Sequence, residues 1–250
     1  MTSDEAALPQ EAADSSLREL QRNWDGLARH DAMWAVLSDP AKIGRRWDRD
    51  EFFASGRAEI ADLQRYMASH LAEAVDLRRR ARALDFGCGL GRLSQALAEH
   101  FQQVDGVDIS SETVQQARAH NRQGERVRYH VNLSERLPFE DDAFDLVFTN
   151  IVLQHIDRGH ALGYIAEFVR VMKRGGLTIF SVPSRSLNSA DGVFASPVES
   201  GDGVFLIHMN TIAVDQVQEQ IERHGGRLIH MHDYPVAGPA YECLRYAVTK

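Results

Sequence analysis

Apolar residues recur at helical spacing across residues 17–37 (Leu17, Leu20, Trp24, Leu27, then Trp34 and Leu37), with a break near Asp31. Asp39-Pro40 stops the run, because a residue before proline is pushed out of the helical region. A second helix is expected over residues 58–77. Ahead of both, residues 1–16 are mostly Ala, Glu, Asp, Ser and Gln and read as disordered or loosely helical. From residue 83 the period changes. A short apolar strand at 83–86 carries Asp85 and runs into Gly87, Gly89 and Gly91. Helically spaced Leu93, Leu97 and Phe101 follow. Further strands are predicted at 104–109, 127–131, 144–149, 177–182, 227–234 and 241–249. Helices are predicted after Ser110, at 161–172 and at 214–224. Residues 183–203, rich in Ser, Gly and Asn, read as a variable loop over a site. Strands alternating with helices predict an open, mostly parallel α/β sheet.

The glycine run carries the chemistry. A strand, a glycine turn and a helix in that order make a ligand loop, since the backbone must turn tightly and a ligand must approach the main chain. The next strand ends at Asp108, where an acid accepts hydrogen bonds from two vicinal ribose hydroxyls. An adenosyl ligand follows from both features. A dinucleotide fingerprint wants G-x-G-x-x-G, and Arg92 stands where its third glycine would be.

The run Asp85-Phe-Gly-Cys-Gly-Leu-Gly91 resembles motif I of the class I S-adenosylmethionine-dependent methyltransferases. Leu137-Pro138-Phe139, Phe144-Asp145-Leu146-Val147, Asn150 to His155 and Met172-Lys-Arg-Gly-Gly176 fall in that family's order. The resemblance implies a Rossmann-like seven-stranded methyltransferase sheet with an antiparallel last strand, S-adenosylmethionine as cofactor, and a small-molecule acceptor methylated on O or N. It also implies cofactor contacts from Asp85, Gly87, Cys88, Gly89, Asp108, Ile109, Leu133, Ser134, Asn150 and Ile151. Leu133 stands where the family carries an adenine-contacting acid; Asn132 or Ser134 substitutes, or Leu133 packs on the ring. His155 falls where the fourth strand faces the transferable methyl, and it reads equally as a general base or as pocket wall. All three tryptophans, with Phe52 and Phe53, lie in the first 53 residues. Residues 1–80 are therefore expected to form a helical cap over an 81–250 methyltransferase domain. Ser55 and Arg57 of that cap would meet the cofactor's carboxylate.

Composition narrows the partners. The chain has 250 residues, 44% of them hydrophobic, with a formal net charge of −8 and two cysteines. That charge, with basic residues dense only at Arg78-Arg79-Arg80 and Arg82, argues against nucleic acid as substrate. A polar, acidic start and the lack of a long apolar run imply no membrane partner and a cytoplasmic setting. Two cysteines make no disulfide framework. His230 and His232 alternate on one strand beside Asp233, without a third converging ligand, so no metal site is expected. Oligomeric state does not follow from the sequence. A nicotinamide-dependent oxidoreductase and a non-catalytic cofactor-binding module remain the alternatives.

Overall fold

The computed structural model describes residues 10–76, 78, 80–188, 194–200 and 203–250. A seven-stranded sheet forms its centre, ordered β3-β2-β1-β4-β5-β9-β8. Strands β1 (Arg82–Phe86), β2 (Gln103–Asp108), β3 (Val127–Val131), β4 (Phe144–Thr149) and β5 (Met172–Ser186) run parallel. Strand β9 (Tyr241–Thr249) pairs antiparallel with β5 and with β8 (Arg227–Asp233). The order reverses at β1, so the tips of β1, β2 and β4 open a crevice at the carboxyl edge.

Helices cover both faces, and the central strands are apolar on both sides as parallel pairing demands. Helices α2 (Arg49–His70), α3 (Arg92–Leu97) and α4 (Ser111–His120) bury Ile60, Leu63, Leu97 and Val114 on one face. On the other, α5 (Arg158–Val171) and α6 (Val214–Arg223) bury Ile165, Phe168 and Ile221 against Phe144 and Phe180.

Helix α1 (Gln10–Val36) crosses the carboxyl edge and bends at Asp31 (φ −157°). Asp31 turns its carboxylate onto the backbone N–H groups of Trp34 and Arg45, at 3.3 and 2.6 Å, which competes with continued helix. Gln21 donates to the carbonyl of Ile109 at 3.0 Å. Asp25 accepts from the Ser110 hydroxyl at 2.7 Å and the Glu112 N–H at 3.1 Å, so a carboxylate on α1 caps the first turn of α4.

Two expectations change. Helix α2 starts at Arg49 rather than 58, because Asp48 accepts from the Glu51 N–H at 2.9 Å and fixes the start. The 183–203 stretch is not one loop. Strand β5 continues to Ser186, and β6 (Phe194–Ser200) forms an antiparallel hairpin with β7 (Gly203–Met209). Asn23 of α1 holds that hairpin by two bonds to the Leu206 backbone, at 2.6 and 2.8 Å. Residues 1–9 of the stretch expected to lack order lie outside the described residues; residues 10–16 begin α1.

Candidate active site

A cavity of about 770 Å³ opens between the carboxyl edge of the sheet, α1 and the β6–β7 hairpin. That is ample for a cofactor and a small acceptor together. One end is built from the β1 and β2 tips: Gly87, Cys88, Gly89, Asp108 and Ile109, with Asn132 beyond β3. At the other end Trp24, Val198, Ile207 and Met209 surround the turn that follows β4.

The glycine loop has the conformation its sequence requires. Gly87, Gly89 and Gly91 have φ of 73°, 51° and 79°, all in the left-handed region. A Cβ at residue 89 would lie 2.7 Å from a Val36 methyl of α1, so bare backbone faces the cavity there. Gly89 donates its N–H to one Asp108 carboxylate oxygen at 2.8 Å, and Ser110 donates to the other at 2.9 Å. Each oxygen keeps lone pairs for further donors. Burial raises the Asp108 pKa above the usual carboxylate value, offset in part by those two backbone donors.

A polar chain lies beside this floor. Arg92 is buried and forms a 2.8 Å ion pair with Glu59 of α2. The other Glu59 oxygen accepts from Asn150 Nδ2 at 2.6 Å, and Ser181 donates to Asn150 Oδ1 at 2.7 Å. Arg92 and Asn150 both border the cavity, and the buried Arg92 Nε has no partner among the described residues. Ile151, next in chain, has φ +59°, a strained conformation for a β-branched residue, held at the cavity wall.

His155 sits in the short turn Leu153–His155. Its Nδ1 is 2.6 Å from the carbonyl of His208 at the end of β7, so Nδ1 carries the proton and Nε2 keeps a lone pair. The Trp24 ring meets it edge-on, 5.4 Å between centroids. Burial pushes its pKa down to about 4, so it is neutral at pH 7. Asn210 fastens the same turn, its N–H donating to the Gln154 carbonyl at 2.7 Å and its amide to the Ile156 carbonyl at 3.0 Å.

Of the residues singled out from sequence, the cavity brings together Gly87, Cys88, Gly89, Asp108, Ile109, Asn150, Ile151 and His155. Five stand elsewhere. Ser55 donates its hydroxyl to the Phe52 carbonyl at 2.6 Å within α2 and does not border the cavity. Asp85 lies buried beneath the loop, where Ser94 of α3 donates to it at 2.5 Å; it ties strand to helix. Arg57 is exposed on α2 and does not border the cavity, because Glu59, two residues on, occupies the inward face. Leu133 is 39% exposed, and Ser134 is exposed with its hydroxyl accepting from the Arg136 N–H; neither lines the cavity. Asn132, buried at the β3 end, does. Arg92, Glu59 and Gln154 went unread as site residues. Arg92 entered only as a missing glycine, and Glu59 reaches the site through a tertiary contact that no local spacing signals.

Residues 83–176 match the family described as "Methyltransferase domain". By this match the segment from β1 to the start of β5 is similar to a methyltransferase domain. Over 130 residues it is 33% identical to malonyl-acyl-carrier-protein O-methyltransferase of Salmonella typhimurium, covering 51% of this chain and 49% of that one. Over 110 residues it is 34% identical to ubiquinone biosynthesis O-methyltransferase of Idiomarina loihiensis, covering 43% and 44%. The chain thus spans about half the length of these curated relatives. The fold extends further than the sequence match. The cyclase SpnF superposes with a TM-score of 0.62 at 18% identity, covering 94% of this chain and 97% of that one. An S-adenosylmethionine-dependent methyltransferase of Clostridium acetobutylicum gives 0.55 at 19% identity, covering 68% and 83%. The fold therefore has the expected sheet, with α1, α2 and the hairpin placed around its carboxyl edge. No helix among the described residues is long and apolar enough to cross a membrane, and no group of His, Cys, Asp or Glu there is arranged to hold a metal.

Proposed function

We propose that this protein transfers a methyl group from S-adenosylmethionine to a hydroxyl oxygen of a largely apolar small molecule. The observation that carries this is a neutral imidazole, fixed at Nδ1 and free at Nε2, in the cavity whose floor is the glycine loop and Asp108.

The residues present fit the cofactor. Gly87, Cys88 and Gly89 offer bare backbone, Asp108 offers oxygens to ribose hydroxyls, and Arg92 with Glu59 and Asn150 offers opposite charges to an amino-acid end. When bound, the cofactor supplies an activated, electrophilic methyl carbon. The chain's own work is then alignment, exclusion of water and removal of one proton. Trp24, Trp34 and α1 close the cavity over the sheet edge, which supports reading residues 1–80 as a cap. Held side by side, acceptor and donor gain on the order of 7–11 kcal/mol in favourable cases. His155 Nε2 accepts the proton of the attacking hydroxyl. An amine acceptor, already neutral when it reacts, needs no such group, so oxygen is the better match.

Named relatives act on malonyl-acyl-carrier protein and in ubiquinone biosynthesis, both by O-methylation as their names state. That agrees with oxygen as the acceptor atom here. Incubation with methyl-labelled S-adenosylmethionine and a panel of phenols and aliphatic alcohols tests the reading. Label is expected in a hydroxylated, mainly apolar compound. His155→Ala should lower kcat by roughly 10²- to 10⁴-fold with little change in cofactor affinity. Turnover unchanged in that variant would reduce His155 to pocket wall.

A further inference from the structure

We propose that Arg245, which does not border the cavity, is a positioning residue for the carboxylate of the cofactor's amino-acid end: it offsets the charge of Glu59 and so leaves Arg92 free to pair with that carboxylate. This rests on the cofactor reading given above and adds to it what holds the amino-acid end.

Arg245 lies in β9, directly opposite Ser181 of β5 and His232 of β8. Residues so opposed share a face of the sheet. That face is the one α2 covers, since the Arg245 guanidinium lies 5.3 Å from the ring centre of Tyr66. Arg245 is 5% exposed, yet it forms no ion pair with a carboxylate among the described residues. Buried cations are ordinarily paired. This one is held by aromatic faces instead, with the Tyr234 ring centre 3.4 Å from its guanidinium. Burial lowers its pKa, opposed by the two tyrosines and by the carboxylate of Glu59.

Contacts connect Arg245 to the cofactor end of the cavity. The Tyr234 hydroxyl meets the Asn150 side chain. Asn150 donates to one Glu59 oxygen at 2.6 Å, and Arg92 pairs with the other at 2.8 Å. Ser181, beside Arg245 in the sheet, donates to Asn150 Oδ1 at 2.7 Å. One carboxylate thus serves two buried guanidinium groups. Burial raises the pKa of neighbouring Asp85 to about 7, so it adds only part of a charge at neutral pH. Burial, then Arg245 and His230, lowers the pKa of His232, which adds none. Positive charge is left in excess, and Arg92 is the member that borders the cavity. Glu59 fixes where Arg92 points; Arg245 leaves the pair with charge to spare. Without Arg245, Glu59 would neutralise Arg92 and repel an anion arriving beside the glycine loop.

The test measures, by calorimetry, binding of S-adenosylhomocysteine and of its decarboxylated analogue, which keeps the ammonium group and lacks only the carboxylate. Wild type is expected to prefer S-adenosylhomocysteine by roughly ten- to hundredfold, the worth of a charged hydrogen bond. Arg245→Met should lose about tenfold of that preference while binding the decarboxylated analogue as wild type does. Arg245→Lys, which keeps the charge, should retain most of it. An unchanged preference in Arg245→Met, or equal weakening of both ligands, would assign Arg245 to structure alone and overturn the proposal. A folded Arg245→Lys that loses the preference would do the same, and it can be read even if Arg245→Met does not fold. Equal binding of both ligands by wild type would also overturn it, with the cofactor reading left standing. Failure of S-adenosylhomocysteine to bind wild type would instead remove the reading beneath it.

Discussion

At the scale of single residues, the site works through groups whose charge is set by neighbours. His155 is neutral because burial disfavours imidazolium, and it is oriented because one carbonyl fixes its tautomer. Arg92 is buried, with Glu59 2.8 Å from its guanidinium. Removing one partner of such a pair is more damaging than the pair is helpful, since the remaining charge stays buried. Glu59→Gln is therefore expected to weaken S-adenosylhomocysteine binding by about tenfold or more, with the loss read by calorimetry; unaltered affinity would exclude Glu59 from the cofactor end. This part of the site was least legible from sequence. The glycines and Asp108 announce themselves because their chemistry demands particular residue types at particular spacings. Glu59 is an ordinary polar residue in a helical run, and only the packing of α2 on α3 brings it to Arg92. Arg57 was the misleading signal, a cation in the right helix on the wrong face.

Among elements, α1 and the β6–β7 hairpin form one assembly. Asn23 bonds the hairpin, Gln21 bonds the β2 exit, and Asp25 caps α4. The hairpin in turn holds His155 and Gln154 through His208 and Asn210. Asp25→Ala strips α4 of an external cap and should cost about 0.5–2 kcal/mol, lowering Tm by roughly 2–4 °C per kcal/mol. A Tm equal to wild type would show that Ser110 alone caps α4. The strands of the central sheet were legible because apolar runs bounded by turn residues are unambiguous when they alternate with helical periods. The hairpin was not. Its first strand is embedded in a Ser-, Gly- and Asn-rich stretch, and what makes it a strand is pairing with residues 203–209 and packing on α1. Helix α2 likewise began nine residues earlier than its apolar spacing suggested, because a cap at Asp48 decides the start.

For the whole molecule, cavity and stability are joined through buried titrating groups of opposite sense. His155 has a folded pKa of about 4, below its ordinary 6.5, so its contribution is present above pH 6.5 and lost as pH falls towards 4. Asp85 behaves in reverse. Burial raises its pKa to about 7 from 3.8, so its contribution is full below pH 3.8 and lost as pH rises to 7. Asp85→Asn keeps a partner for Ser94 without the charge. Unfolding free energies across pH should show this variant gaining on wild type from about pH 4 to pH 7 and levelling above; parallel curves would mean Asp85 is ionised in the fold. The central claim is broader: an adenosyl cofactor lies on the glycine loop and is held through Asp108. Calorimetric titration of wild type and Asp108→Ala with S-adenosylhomocysteine tests it most directly. One site per chain is predicted, weakened in the variant by about 1–3 kcal/mol. Absence of binding to wild type, or equal affinity in both, would contradict the account.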